Sequence, residues 1–288
     1  MRAHNLFTDR LNEKTFLILS HRGFWGGNVI ENTRVACQLA YRAGADIAEV
    51  DVCRSSDGEY YLFHDGNEAK LLNKRANFSE LDAATIDSIN LLNSLGNPSG
   101  YKVEKLADFL SWLPAGKLVN IDRSWDYWED DAFFHLLSAS QKSGQLLLKS
   151  PVKKAYLSQL NARYHGISYM PIITSQEEYD RVLNYPLIQM IGVEIVVSHQ
   201  PSDLLNQNWL NVLAEKGLMI MANAEKLGES FALFNGLDDD VALANGFSTG
   251  WGQILASGAN TIQTDWPNFL NDFRLERERK PIHDAIEK

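Results

Sequence analysis

The sequence predicts an α/β protein with the architecture of a (β/α)8 barrel, the TIM barrel. Eight short, apolar, β-rich runs recur along the 288 residues, and segments with helical spacing separate most of them. The length is close to the roughly 250 residues that are usual for such a barrel. A doubly wound open sheet also alternates strands and helices and is the alternative. No linker or strong internal repeat divides the chain, so we expect one domain over residues 1–288.

The predicted strands are bounded by turn-forming residues and are rich in Val, Ile, Leu and aromatic side chains. They cover residues 15–20, 47–52, 118–122, 146–149, 169–174, 189–197, 218–223 and 261–265. The predicted helices have apolar residues three and four positions apart. They cover residues 32–43, 131–143, 152–164, 176–183, 202–215 and 248–256.

One segment departs from the alternation of strand and helix. The strand-like run 59–63 follows the second strand after only a few residues, which is too short a connection for a parallel return. Asp57-Gly58 is a strong signal for a two-residue hairpin turn, so the run is predicted to be antiparallel. That turn places Asp51 opposite His64, with their Cβ atoms about 5 Å apart on one face.

The longest interval between predicted barrel strands covers residues 67–117. It includes the stretch 93–100, which is rich in Asn, Ser and Gly. Long segments of this kind often carry function in an otherwise compact domain. We therefore expect an insertion that forms a lid or a small subdomain over the mouth of the barrel.

The composition excludes several classes of protein. Hydrophobic residues make up 45% and charged residues 22%, as in globular proteins. Lys and Arg number 27 against 37 Asp and Glu, a net charge of −10, which argues against a broad cationic surface for nucleic acid.

No apolar run approaches the roughly 18 residues of a membrane span. The polar amino-terminal segment favours a cytoplasmic protein, and an exported protein that has lost its leader is the alternative. The oligomeric state is left open.

Acidic residues on two predicted strands indicate a metal site. Glu49 and Asp51 are two residues apart on one strand and therefore share a face. Adjacent carboxylates repel each other and do not tolerate burial without a partner, and one divalent cation removes both problems. Asp122 ends a later strand and would complete the set. Oxygen ligands favour Mg²⁺ or Ca²⁺, with Mn²⁺ possible, over zinc.

The end of the first strand carries candidate catalytic groups. His21 and Arg22 follow it directly, and barrel enzymes place their chemistry where the strands end. His21 and His64 are candidates for proton transfer. Arg22 has the planar fork that suits phosphate oxygens. Glu31 can orient His21 or Arg22 or approach the metal, and Asn32 can cap the helix that follows.

Two further charged residues lie in apolar strands. Lys149 ends one strand and is better suited to a bound anion, such as phosphate, than to solvent. Glu194 lies within the apolar run 191–197, where it needs a partner, and a substrate contact and a structural ion pair are both open. Together these residues indicate one reaction class. The metal and Arg22 neutralise a phosphodiester, one histidine deprotonates the nucleophile, and the other protonates the leaving oxygen.

The order and spacing of these motifs resemble the glycerophosphodiester phosphodiesterase family, which is related to phosphatidylinositol-specific phospholipase C. The resemblance covers roughly the first 65 residues and rests on these motifs: His21-Arg22-Gly23, Glu31-Asn32-Thr33, Glu49-Val50-Asp51-Val52, Asp57-Gly58 and His64-Asp65. A weaker similarity to the closing strand of the family lies in residues 258–267.

The resemblance implies a (β/α)8 barrel, one divalent metal and hydrolysis of a glycerophosphodiester to an alcohol and glycerol phosphate. It also implies catalysis by His21 and His64, and attack by an adjacent hydroxyl of the substrate is plausible for this group. The family usually has Glu-x-Lys where this chain has Asp122-Arg123-Ser124. Lys149 and Arg123 are the two candidates to replace the missing lysine.

Two alternatives remain open from the sequence. One is a related phosphodiesterase of the lysophospholipase D or phosphoinositide type, which would need a lipid-sized apolar opening. The other is a barrel that binds a phosphate ligand without turnover, for which the altered segment Asp122-Arg123-Ser124 is the only support.

Overall fold

The computed structural model describes residues 5–163, 166–199, 201–227 and 232–283, with side chains to residue 279. Its strands are short, and most correspond to the predicted runs within one or two residues. They are β1 (Leu17–Ser20), β2 (Ile47–Arg54), β3 (Tyr60–Leu62), β4 (Leu118–Asp122), β5 (Leu146–Pro151), β6 (Ser168–Ile173), β7 (Gln189–Met190), β8 (Gly192–Ile195), β9 (Met219–Asn223) and β10 (Thr261–Thr264).

Eight of these strands pair in parallel and close into a barrel. The order is β1, β2, β4, β5, β6, β8, β9 and β10, and β10 pairs with β1 to complete the circle. The (β/α)8 barrel predicted from the sequence is therefore confirmed, and the open sheet is excluded. The predicted strand 189–197 is interrupted, because only its second part, β8, continues the barrel between β6 and β9.

The helices cover the outside of the barrel. They are α1 (Leu6–Glu13), α2 (Arg34–Arg42), α3 (Ala83–Ser88), α4 (Leu106–Trp112), α5 (Asp131–Ala139), α6 (Lys154–Arg163), α7 (Gln176–Val182), α8 (Gln207–Glu215), α9 (Asp239–Asn245), α10 (Trp251–Ala256) and α11 (Pro267–His283). All six predicted helices are present, several of them shorter than expected. None of the described helices has both the length and the apolar character needed to cross a bilayer.

The barrel interior is apolar at its amino-terminal end. Alternate residues of the strands point inward and form one buried cluster, which includes Leu17, Ile47, Leu118 and Met219. Phe7 of α1 belongs to the same cluster and is fully buried. Helix α1 therefore closes this end of the barrel, and the polar inward-facing residues lie towards the carboxyl ends of the strands.

The antiparallel hairpin of β2 and β3 is confirmed, but its predicted register is wrong by one residue. Val52 pairs with Leu62, and the backbone N–H of Phe63 donates to the carbonyl oxygen of Asp51 at 3.0 Å. The turn has three residues between Ser55 and Glu59, with Gly58 at φ +98°, the left-handed position that such turns reserve for glycine. Phe63 therefore lies opposite Asp51, in the place predicted for His64.

The insertion is smaller than predicted. Helix α4 packs in the main core with the barrel helices, so it is the barrel's own connection between β2 and β4. The residues before it form short helical turns and α3 around a separate small core that includes Phe63, Leu72, Phe78 and Val103. The hairpin strand β3 thus joins the barrel to the insertion.

A buried ion pair fixes the last helix to the first strands. Arg274 of α11 donates to Asp46 Oδ2 at 2.5 Å and to the carbonyl oxygens of Phe16 and Gly44. Asp46 Oδ2 also accepts the backbone N–H of Ile18 at 2.9 Å. Both side chains are almost fully buried, so each offsets the cost of burying the charge of the other.

We predict that Arg274→Met destabilises the protein strongly because it removes the guanidinium group that is hydrogen-bonded to the buried Asp46 carboxylate and leaves only the more distant Arg10, at 3.9 Å, among the described cations. The expected loss is about 3–5 kcal/mol of the free energy of unfolding. Urea unfolding followed by circular dichroism measures it, with the exposed Arg42→Met on α2 as control. A loss no larger than that of the control would contradict the proposed importance of this pair.

Candidate active site at the open end of the barrel

Three carboxylates meet at the carboxyl end of the strands. Glu49 and Asp51 point into the barrel from β2, and the parallel register places Asp122 of β4 beside Asp51. An oxygen atom of each of these three side chains lies within 4.8 Å of the others, the spacing of ligands around one metal ion. The geometry of the predicted trio is therefore present.

Burial and mutual repulsion make this trio unstable as three bare anions. Burial and the neighbouring charge of Asp51 raise the pKa of Glu49 well above its ordinary value. Burial also works against ionisation of Asp122, but the adjacent Lys149 ammonium group outweighs it and lowers the pKa of Asp122. A cation placed among these oxygens would satisfy all three.

Arg22 is held against the trio by its backbone and its side chain. It adopts the left-handed conformation at φ +55°, and its N–H donates to Glu49 Oε2 at 2.5 Å. Its Nη1 donates to Glu31 Oε1 at 2.8 Å, while Nε lies 3.2 Å from Asp51 Oδ2 in an ion pair without a hydrogen bond. The next residue, Gly23 at φ +76°, lies so close to Ala36 of α2 that a Cβ atom would come within 2.7 Å of it.

Glu31 orients Arg22, which is one of the roles that the sequence predicted for it. Its side chain is 1% exposed and also accepts hydrogen bonds from Asn67 and Lys70. Burial opposes its ionisation, but the charges of Arg22 and Lys70 lower the pKa of Glu31 overall. Glu31 is therefore an anion that fixes the guanidinium group.

Asn32 has a different role from the predicted helix cap. Its Nδ2 donates to Asp51 Oδ2 at 3.0 Å, and its Oδ1 accepts the backbone N–H of Asp51 at 2.8 Å. The cap of α2 is Thr33, whose hydroxyl oxygen accepts the N–H of Ala36 at 3.2 Å. The left-handed backbone of Asn32, at φ +57°, turns its amide towards the site.

His21 lies at the same end of the barrel, next to β10. Its Nδ1 is 2.9 Å from Asp265 Oδ1. Burial disfavours its charged form, but the hydrogen bond to Asp265 and the charges of Glu225 and Glu49 outweigh burial and raise the pKa of His21 to about 9. The ring is therefore positively charged at neutral pH, with Nε2 as the nitrogen available to a substrate.

The contacts that Asp265 and Glu225 make around His21 were not predicted from the sequence. Asp265 is held in place in turn, because its backbone N–H donates to Asp239 Oδ2 at 2.9 Å. Its position directly after the last strand could have indicated a contact at the barrel mouth. Glu225 follows β9 by two residues and gave no comparable signal, since no strand or motif surrounds it.

His64 follows β3 and is on the hairpin side of the mouth. Its Nδ1 lies 2.6 Å from the carbonyl oxygen of Asp65, and its side chain is 23% exposed. A carbonyl oxygen can only accept, so the hydrogen in this contact belongs to Nδ1. The structure thus shows no direct pairing of His64 with Asp51.

Lys149 lies inside the barrel, behind Asp122. Its Nζ is 3.1 Å from Asp122 Oδ2 and 2.8 Å from Glu194 Oε2, and the side chain is 1% exposed. Of the two roles left open for Glu194, the observed contact is thus the ion pair. Asn223 donates to the other oxygen of Glu194 at 2.7 Å.

Arg123, the other candidate cation, pairs instead with Asp65 at 2.9 Å outside the trio.

The family model for the glycerophosphoryl diester phosphodiesterase family matches residues 21–217. This chain belongs to that family. The match includes every predicted site residue and extends well beyond the motifs of the first 65 residues. Membership makes the protein a phosphoric diester hydrolase. A search of curated proteins finds no match.

Solved structures share the fold at low sequence identity. A glycerophosphoryl diester phosphodiesterase from Parabacteroides distasonis is 16% identical, with a TM-score of 0.71 over 92% of this chain and 90% of the other. A putative glycerophosphodiester phosphodiesterase from Galdieria sulphuraria is 15% identical, with a TM-score of 0.68 over 90% and 98%. A phosphodiesterase from Oleispira antarctica, solved with the product sn-glycerol-3-phosphate, is 17% identical, with a TM-score of 0.63 over 89% and 95%.

We predict that Asp265→Asn lowers the pKa of His21 from about 9, because the substitution removes the hydrogen-bonded anion that most strongly favours the imidazolium form. Titration of the His21 ring by NMR measures the shift. The matched control is Asp272→Asn, an exposed position on α11. An unchanged His21 titration in Asp265→Asn would contradict the assigned contact.

Proposed function

We propose that this enzyme hydrolyses glycerophosphodiesters to an alcohol and glycerol phosphate with one divalent metal ion and two histidines. The observation that carries the proposal is the buried trio of Glu49, Asp51 and Asp122, with Arg22 and His21 at its edge. The product complex of the Oleispira antarctica phosphodiesterase supports glycerol phosphate as the product class.

The three acidic residues fit a hard divalent cation. All three donors are carboxylate oxygens, which suit Mg²⁺ or Ca²⁺, and Mn²⁺ as well. The amide group of Asn120, which is in register with Glu49, is buried without a hydrogen-bond partner among the described residues. When bound, the metal supplies positive charge that offsets the negative charge of the phosphoryl group in the transition state.

The two histidines are suited to opposite proton transfers. His21 is protonated at neutral pH and can donate a proton to the oxygen of the leaving alcohol. In its neutral form, His64 has Nε2 as an acceptor and can take the proton of the attacking hydroxyl or water. With water as the nucleophile, the P–O bond to the alcohol breaks as the new P–O bond forms, which gives glycerol phosphate and leaves the proton of water on His64. With an adjacent hydroxyl of the substrate as the nucleophile, this step gives a cyclic phosphate. Water then opens the ring, with His21 taking the proton of water and His64 returning its proton to the ring oxygen.

Arg22 and Lys149 would contribute positive charge at different distances from the phosphate of the substrate. Arg22 is at the edge of the trio, where its guanidinium group can turn from Asp51 to a phosphate oxygen while Glu31 holds it. Lys149, predicted as a phosphate contact, lies behind Asp122. We therefore propose that Lys149 acts on the phosphate through its charge, across Asp122, and without direct contact.

An apolar cavity favours a second candidate function, phosphodiester hydrolysis on a lysophospholipid. The cavity has a volume of about 330 Å³, and its lining includes Trp25, Val29, Ile30, Leu71 and Leu92. It lies between the loop after β1 and the insertion. The binding-only alternative has less support, because the acidic trio and both histidines are present.

Chelation is expected to abolish hydrolysis of glycerophosphoethanolamine, and Mg²⁺, Ca²⁺ or Mn²⁺ is expected to restore it. Glu49→Gln should weaken metal binding, because it removes one charged ligand from a set of three. Isothermal titration calorimetry measures the affinity independently of turnover. Glu215→Gln, an exposed change on α8, is the control. Full activity with excess EDTA would exclude the metal-dependent reaction.

Replacing either histidine is expected to lower kcat by about 10²–10⁴-fold, the usual effect of removing a general acid or base. His21→Ala and His64→Ala test the two roles, with His135→Ala on α5 as the matched control. Circular dichroism shows whether each variant is folded. Retention of near-wild-type kcat in a folded variant at either position would contradict its assigned role.

A further inference from the structure

A buried carboxylate beside His21 has one oxygen that the protein does not use. Glu225 is 4% exposed and lies just beyond the carboxyl end of β9. Its Oε1 accepts a hydrogen bond from Gln263 Nε2 at 2.8 Å. Its Oε2 is buried and has no hydrogen-bond partner among the described residues.

An unpaired buried carboxylate oxygen is unfavourable, because it has lost its hydration without gaining a hydrogen bond. Burial raises the pKa of Glu225 to about 7, although the positive charge of His21 works against this shift. Gln263 Nε2 donates to Oε1 and makes no hydrogen bond to Oε2, and the amide oxygen of Gln263, which accepts from Lys149 at 3.4 Å, cannot donate. The described residues therefore leave Oε2 as an acceptor that a donor on a bound molecule could use.

The position of Glu225 indicates which part of a substrate would supply that donor. The acidic trio lies on β2 and β4, on one side of His21, whereas Glu225 and Gln263 follow or belong to β9 and β10, on its other side. Glu225 also lies near His21, because its partner Gln263 directly precedes Thr264, whose carbonyl oxygen accepts the backbone N–H of His21 at 3.0 Å. A group bonded to the oxygen that His21 protonates would thus extend towards Glu225 and away from the metal ligands.

We propose that Glu225 is a specificity residue that accepts a hydrogen bond from the leaving alcohol of the substrate. The favoured alcohols are those that carry a donor a few bonds from the scissile oxygen, either a hydroxyl group, as in glycerol, or an ammonium group, as in ethanolamine. The inference rests on the proposed function, because it takes His21 as the acid that protonates the leaving alcohol.

Two pairs of substrates test this proposal. Glycerophosphoglycerol and glycerophospho-1-propanol share a three-carbon leaving group and differ in its hydroxyl groups. Glycerophosphoethanolamine and glycerophosphocholine both carry a positive charge, but only ethanolamine has N–H donors. In at least one of the two pairs, we expect the wild-type kcat/KM to be about tenfold to a hundredfold higher for the substrate that carries a donor. The pair that shows the difference identifies the donor as hydroxyl or ammonium.

Substitution of Glu225 assigns the preference to this side chain. Glu225→Leu should reduce the ratio of kcat/KM between donor and non-donor substrates to within about threefold of one, because it removes the acceptor. Glu225→Gln keeps one acceptor oxygen without charge and should give an intermediate ratio, which also tests the proposal if the leucine variant does not fold. The control is Asp240→Asn, an exposed carboxylate change on α9.

The outcomes separate the two proposals. An equal fall of kcat/KM for both members of each pair in the Glu225 variants would overturn the inference, since Glu225 would then act through His21 alone. An unchanged ratio in the variants, or no donor preference in the wild type, would also overturn it. Failure of the wild type to hydrolyse any of the four diesters would instead contradict the proposed function.

Discussion

The repulsion among three carboxylates in one buried place explains most of what surrounds them. The parallel register of β2 and β4 places Asp122 beside Asp51, and alternation within β2 places Glu49 on the same face. Their proximity is therefore fixed by the backbone. Each receives a hydrogen-bonding or charged partner. Arg22 and Asn32 come from the loop between β1 and α2, and Lys149 comes from β5. The loop conformations and the buried lysine are understandable as responses to this one electrostatic constraint.

The two sides of the barrel mouth have different characters. On the side of β9 and β10, His21 is held by Asp265, which Asp239 fixes in turn, so the ring has a set orientation. On the side of the hairpin, the His64 ring is hydrogen-bonded to the carbonyl oxygen of its neighbour Asp65, and its side chain is more exposed. The proposed proton donor, His21, is thus held more firmly than the proposed proton acceptor, His64.

The sequence predicted the barrel and the acidic trio because both depend on simple periodicities. Alternation within β2 places Glu49 and Asp51 on one face, and the position of Asp122 at a strand end is sufficient to bring it near them. The register of the hairpin was wrong because Asp57-Gly58 fits a two-residue and a three-residue turn, and one residue moves His64 away from Asp51. Glu225 could not be predicted, because it depends on a pairing with Gln263 across strands that are distant in sequence. The burial of Lys149 likewise follows from its acidic neighbours on β4 and β8.

The contact of Arg274 with Asp46 and Phe16 has a consequence for biosynthesis. The side chain lies where α11 meets the segments before β1 and β2, so this contact forms only after the strand that precedes α11, β10, has been made. Until β10 is available to pair with them, β1 and β9 each have a free edge, and such edges readily pair with other chains. A ribosome-bound nascent chain would therefore expose two unpaired strand edges until β10 emerges, and protection by a chaperone would matter most before that point.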